Sequence, residues 1–148
     1  MIIRTAFALL AALGLTLHAA TPEQEKEFVA AYKKALEGKD AAALKGFLYT
    51  QGASPEAIEM STMMQSMASE GTITSIELVA LSKEEIAKSK ETMPGPGGKK
   101  YKMPMAPYKA LVIATETKSD NGSSKGSSRT PVIEVKGKLY VPVPVPAK

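Results

Sequence analysis

Apolar positions return every three or four residues over the first half of the chain and every second residue over much of the rest, and the period changes at Gly71. In TPEQEKEFVAAYKKALEGKD, the residues Phe28, Val29, Tyr32, Ala35 and Leu36 fall at helical spacing. Thr21 supplies a cap, Pro22 suits the first turn and Gln24 completes a capping-box pattern. Gly38 predicts a left-handed stop. Asp40 predicts the cap of a second, short helix with Leu44, Phe47 and Leu48 on one side. A third helix starts at Ser54-Pro55-Glu56 and runs through a methionine-rich stretch to about Gly71.

Beyond Gly71, TITSIELVAL places Ile76, Leu78 and Ala80 in alternation with Glu77 and Val79 and predicts a strand. SKEEIAKSK fits one or two helical turns capped by Ser82, or a charged loop. ETMPGPGGKKYKMPMAP is rich in Pro and Gly and predicts a long loop. YKALVIATETKS has the strongest strand composition in the chain. DNGSSKGSS predicts a flexible connection between antiparallel strands. TPVIEVKGKLYVPVPVP predicts two strands hinged at Lys136-Gly137, with its Val-Pro end an edge or an extended tail. The fold class is α+β: N-terminal helices packed on one face of an antiparallel sheet of about four strands.

The first twenty residues stand apart from this pattern. Arg4 precedes an apolar run from Ala6 to Leu17, followed by small residues at Ala19 and Ala20, the layout of a secretory signal. The run is short of the roughly 20 apolar residues of a membrane span, so cleavage is expected rather than an uncleaved anchor. The −3 position would be Leu17 or His18 instead of a small residue. Residues 1–20 are therefore read as a signal peptide and 21–148 as a single domain, periplasmic or secreted, with no stable membrane insertion after cleavage.

Composition narrows the chemistry. The chain has no cysteine, and its one histidine is His18, inside the leader. Disulfides, thiolate metal sites and imidazole general bases are therefore absent from the domain, and no cofactor is expected. Charge is uneven. Residues 21–98 hold 8 Lys against 12 acids, and residues 99–148 hold 10 Lys or Arg against 3 acids. The basic cations are spaced and barely interleaved with aromatics, so a solvated face is expected and no nucleic-acid partner.

Two stretches carry a resemblance. FVAAYKKALEGKDAAALKGFLY resembles the first helix, Gly-Lys-Asp joint and second helix of the nuclear transport factor 2-like superfamily (the SnoaL-like, cystatin-like cone), and VIEVKGKLYV is similar to its closing hairpin. Tyr140 stands near the place where that hairpin often carries Trp. The resemblance implies a strongly bent, cone-shaped sheet around a long helix, with an apolar pocket at the open end. It also implies either proton-transfer catalysis of the isomerase or cyclase type or plain binding. Catalytic members lean on Asp, His or Tyr pointing inward. Here Asp40 sits at a helix cap, and alternation turns Glu77 and Glu134 toward water.

Met60, Met63, Met64 and Met67 span about 100° of a helix, the width of a core-facing stripe. The sequence reading is a buried face, because Met fills cores first. Two readings stand beside it: a Cu(I) or Ag(I) site of soft thioethers, to which Met103 and Met105 could add, and an adaptable surface for a partner. The expected function is an exported, non-catalytic module that binds a small apolar ligand, a partner protein or a second copy. The candidate ligand-binding residues are Tyr32, Met64, Met67, Val112 and Tyr140.

Overall fold

Caps set the helices. In the structure, a computed structural model describing residues 19–148, Thr21 and Gln24 close the capping box of α1 (Pro22–Glu37). The Gln24 N–H donates to Thr21 Oγ1 at 3.2 Å and the Thr21 N–H to Gln24 Oε1 at 2.7 Å. The left-handed residue after α1 is Lys39, at φ 48°, and not Gly38, which stays right-handed at φ −78°. Asp40 accepts from the Ala43 N–H at 3.0 Å to start α2 (Ala41–Gly46). Phe47 then caps α2, and Leu48 leaves it for β1 (Leu48–Tyr49), so the second helix is shorter than its apolar pattern suggests. Ser54 caps α3 (Pro55–Ala68). The leader read in residues 1–20 lies, up to His18, outside the described residues.

The strands follow at β2 (Thr72–Val79), β3 (Met93–Pro94), β4 (Lys100–Lys102), β5 (Lys109–Ser119), β6 (Gly122–Val135), β7 (Lys138–Pro142) and β8 (Val145–Pro146). Ser82 and Glu85 form a second capping box between β2 and β3. It resolves SKEEIAKSK as the helix α4 (Lys83–Lys88).

The molecule is α+β, with an open five-stranded sheet in the order β1-β7-β6-β5-β2. Four of these strands are antiparallel neighbours, as the alternating pattern predicts. The fifth, β1, runs parallel to β7. The Val141 N–H donates to Phe47 O at 2.8 Å and the Val143 N–H to Tyr49 O at 3.1 Å. Those carbonyls are thereby engaged by a strand, not by a further turn of α2.

Two segments expected to be irregular are paired. The serine-glycine stretch lies inside β6, in unbroken register with β5 from Lys109↔Val132 to Ser119↔Gly122, and only Asp120 and Asn121 form the turn. Ladder bonds along eleven residue pairs outweigh the weak strand preference of Ser and Gly. The Pro/Gly-rich segment contains β3 and β4, which join β8 in a separate three-stranded sheet. Tyr101 of β4 is 3% exposed and its ring lies against Gly95. The Val-Pro tail is an edge, β8, preceded by the fully buried Val143.

The core lies between helices and sheet. Phe28, Tyr32 and Leu36 of α1 and Leu44 of α2 meet Leu111, Ile113, Val132, Leu139 and Val141. Burying each such side chain stabilises by about 1.5–3 kcal/mol. Phe28, Tyr32 and Phe47 form an aromatic triad with ring centroids 5.1–5.7 Å apart.

The methionine stripe is not part of that core. Met60, Met63, Met64 and Met67 are 40, 58, 63 and 62% exposed, and the buried-face expectation is corrected. The reason is a polar anchor. Gln65, only 6% exposed, donates through Nε2 to Leu44 O at 3.0 Å and to the Tyr32 hydroxyl at 3.3 Å. Ala57, two turns earlier and also buried, allows a close approach there. At 100° per residue, anchoring Ala57 and Gln65 leaves the centre of the methionine arc about 110° round the helix.

Candidate functional site

The outer face of α3 is the most exposed apolar surface among the described residues. The exposed large hydrophobics are its four methionines and Ile86 of α4. Isolated exposed hydrophobics are ordinary, but a contiguous apolar face marks an interaction surface. Its charge along the sequence is one-sided. Between Lys45 and Lys83 the chain carries Glu56, Glu59, Glu70 and Glu77 and no Lys or Arg. Glu56 and Glu59 precede the methionines, and Glu70 follows them. The Glu56 carboxyl is held below its ordinary value by backbone and Ser54 hydrogen bonds at the helix start, with a smaller pull from Lys99.

The five candidate ligand-binding residues do not share one cavity. Met64 and Met67 lie on the α3 face. Tyr32 is buried with its hydroxyl under Gln65, and burial pushes its pKa up. Val112 is half-buried on β5, between Glu77 of β2 and Arg129 of β6. Tyr140, on β7, packs its ring edgewise on Tyr49 at 5.8 Å with the Lys138 ammonium 5.2 Å from its centre. None of the five lines either of the two cavities described next.

The larger cavity, about 540 Å³, is an open groove between α1, the end of α2 and the β6–β7 turn. Phe28, Ala31, Phe47 and Leu139 supply apolar walls, and Lys136 and Lys138 stand at its rim with Glu27. The smaller, about 260 Å³, lies beside α4 and is lined by Met93, Met103, Pro107, Ala110 and Pro131, with Glu85 and Arg129. Arg129 Nε and Nη2 donate to the two Glu85 carboxylate oxygens at 2.6 and 3.0 Å. That bidentate pair, helped by the Ser82 N–H, pulls the Glu85 carboxyl down to about 2.

The acids that a proton-transfer enzyme would need are otherwise engaged or exposed. Asp40 caps α2, Glu134 accepts from the Gly137 N–H across the β6–β7 turn, and Glu77 is exposed. A further polar cluster joins Tyr108 and Lys109 to α1. The Tyr108 hydroxyl and the Lys109 ammonium each meet Glu25 Oε1 at 2.7 Å. The Glu25 carboxylate pushes the Tyr108 hydroxyl up to about 12, and Lys109 foremost holds the Glu25 carboxyl below its ordinary value. These groups join α1 to β5 and line neither cavity. Among the described residues no group of three or more His, Cys, Asp or Glu side chains is placed to share a metal ion.

No protein-family model, curated protein or solved structure matches this chain.

Reading the sequence alone misses the groove, because Phe28 and Phe47 fit a helical core pattern equally well and the rim lysines lie 89 or more positions away. The acidic setting of α3 carried a visible signal: the stretch without a cation between Lys45 and Lys83.

Proposed function

We propose that the chain is a non-catalytic binding module whose working surface is the outer face of α3, taking an apolar partner segment with basic flanks. The observation that carries this reading is the exposure of four methionines on one face of a helix anchored elsewhere. Methionine is long, unbranched and polarizable, so a methionine surface adapts to different apolar contacts. The acids before and after the stripe favour a partner bearing Lys or Arg. The engagement of Asp40 and Glu134 and the exposure of Glu77 favour binding over isomerase or cyclase chemistry. The pattern of residues 1–20 supports an exported protein, and the two resembling stretches support a nuclear transport factor 2-like plan.

A second reading keeps the small apolar ligand and moves it to the groove at the β6–β7 turn. Its apolar walls and rim lysines suit a ligand with an aromatic or aliphatic body and an anionic end.

Methionine-methyl NMR separates the two. Titration with an amphipathic Leu/Lys helical peptide should shift the methyls of Met60, Met63, Met64 and Met67, and a Leu/Glu peptide of the same length should leave them in place. Met64→Gln/Met67→Gln should abolish the response. Equal responses to both peptides, or none to either, would contradict the partner reading. Backbone amide shifts at Phe28 and Leu139 on adding an aryl or alkyl carboxylate, with the methionine methyls unmoved, would favour the groove.

A further inference from the structure

We propose that the outer face of α3 also binds a soft monovalent cation, Cu(I) or Ag(I), through the thioethers of Met60, Met63, Met64 and Met67. The placement is a diamond. Met60–Met63 and Met64–Met67 are three residues apart, and Met60–Met64 and Met63–Met67 are four apart. Each side therefore joins neighbours on the helix surface, about 5–6 Å between Cβ atoms. Methionine has three rotatable bonds beyond its backbone, so sulfurs from all four corners can swing toward the centre. Three or four thioethers make a donor set that selects soft ions, and hard divalent cations prefer oxygen.

Three observations favour this site. The four side chains are 40–63% exposed, so an ion reaches them without opening the core. The helix is held by Ala57 and Gln65 on a different side, so the sulfurs are free to reorient without loosening its seat. α3 carries Glu56 and Glu59 and no Lys or Arg, and Glu70 follows it, so the helix itself favours a positive ion and offers no ammonium to repel it. Lys99 answers Glu56 in part, and Glu59 and Glu70 stand on either side of the stripe. Met103 lines the cavity beside α4, which no α3 residue lines, and is not a member of the site.

Cation binding is independent of the partner reading, because leucine keeps the face apolar and removes only the donor. Ag(I), which needs no reductant, is the probe. Native mass spectrometry and calorimetry on the full chain should give one Ag(I) per protein. Met64→Leu/Met67→Leu should weaken it by about tenfold or more, with the thermal melt and the Leu/Lys peptide response retained. Replacing all four methionines by leucine should abolish it, and Met93→Leu/Met105→Leu should leave it unchanged. Affinity no greater than that of free methionine at equal thioether concentration would overturn the proposal. So would stoichiometric binding that survives the fourfold leucine variant. Loss of the peptide response with Ag(I) binding intact would strike the partner reading alone.

Discussion

Glu25 shows how much one carboxylate ties together. It receives the Tyr108 hydroxyl and the Lys109 ammonium on one oxygen, and so joins the first turn of α1 to β5. Its folded pKa lies below the ordinary 4.5, so its contribution is full above that value and is lost as the pH falls through the lower folded one. Tyr108→Phe should cost about 1 kcal/mol at pH 7. The gap to the parent should narrow toward pH 3 as the carboxyl protonates in both proteins. Urea unfolding at the two pH values checks this, and a gap independent of pH would contradict it. Gln65 is the second decisive residue. Its amide Nε2 holds α3 to α2 and α1, and its Oε1 is buried without a partner. Gln65→Glu should destabilise by about 3 kcal/mol at neutral pH. Burial raises the pKa of the introduced carboxyl, so the ionisation part of the penalty is absent below the ordinary carboxylate range and grows as pH rises to the raised folded value. An unchanged midpoint at pH 7 would contradict the anchoring role. Nothing in the local sequence announces Gln65 as buried, because its partners, Leu44 O and the Tyr32 hydroxyl, lie 21 and 33 positions away.

Elements with their own signals were legible. Thr21-Gln24 places a capping box, and Asp40 and Ser54 two single caps, where local chemistry puts them, whereas SKEEIAKSK fits a helix or a charged loop until Glu85 closes the box on Ser82. The β-branched, apolar composition of β5 and the Gly137 turn of the β6–β7 hairpin read equally well. Elements made by partners were not. The serine-rich half of β6 is a strand because β5 lies beside it, and β3 and β4 exist because the Val-Pro tail and each other complete a small sheet. That sheet is keyed by Tyr101, whose ring would sit 2.2 Å from a Cβ placed on Gly95. Gly95 is extended at φ −143°, so the constraint is space and not backbone strain. Gly95→Ala should cost about 2 kcal/mol by forcing the ring aside, seen as a lower thermal midpoint. Gly97→Ala tests a glycine with no nearby atoms but a left-handed φ of 70°. It should cost about 1 kcal/mol and leave the Tyr101 environment unchanged by NMR. A parent-like midpoint for Gly95→Ala would mean the ring is not seated as described.

At the scale of the whole molecule, the sequence distinguishes the faces of α3 but not which one is covered. A stripe of four methionines opposite Thr62, Ser66 and Ser69 has the periodicity of a core helix, and apolar periodicity alone assigns it inward. The covered side is chosen by fit: Gln65 hydrogen-bonds to α1 and α2, small Ala57 is buried in the core, and the methionines are left outside. The candidate site was therefore legible as residues and misread as an environment. Both the partner surface and the soft-cation site rest on that outward orientation. Its direct measurement is the broadening of methionine methyl signals by a soluble paramagnetic probe, at concentrations low enough to exclude self-association. Met60, Met63, Met64 and Met67 should broaden more than the half-buried Met93, Met103 and Met105. Protection of the four relative to those three, unchanged on dilution, would return the stripe to the core and remove the basis for both.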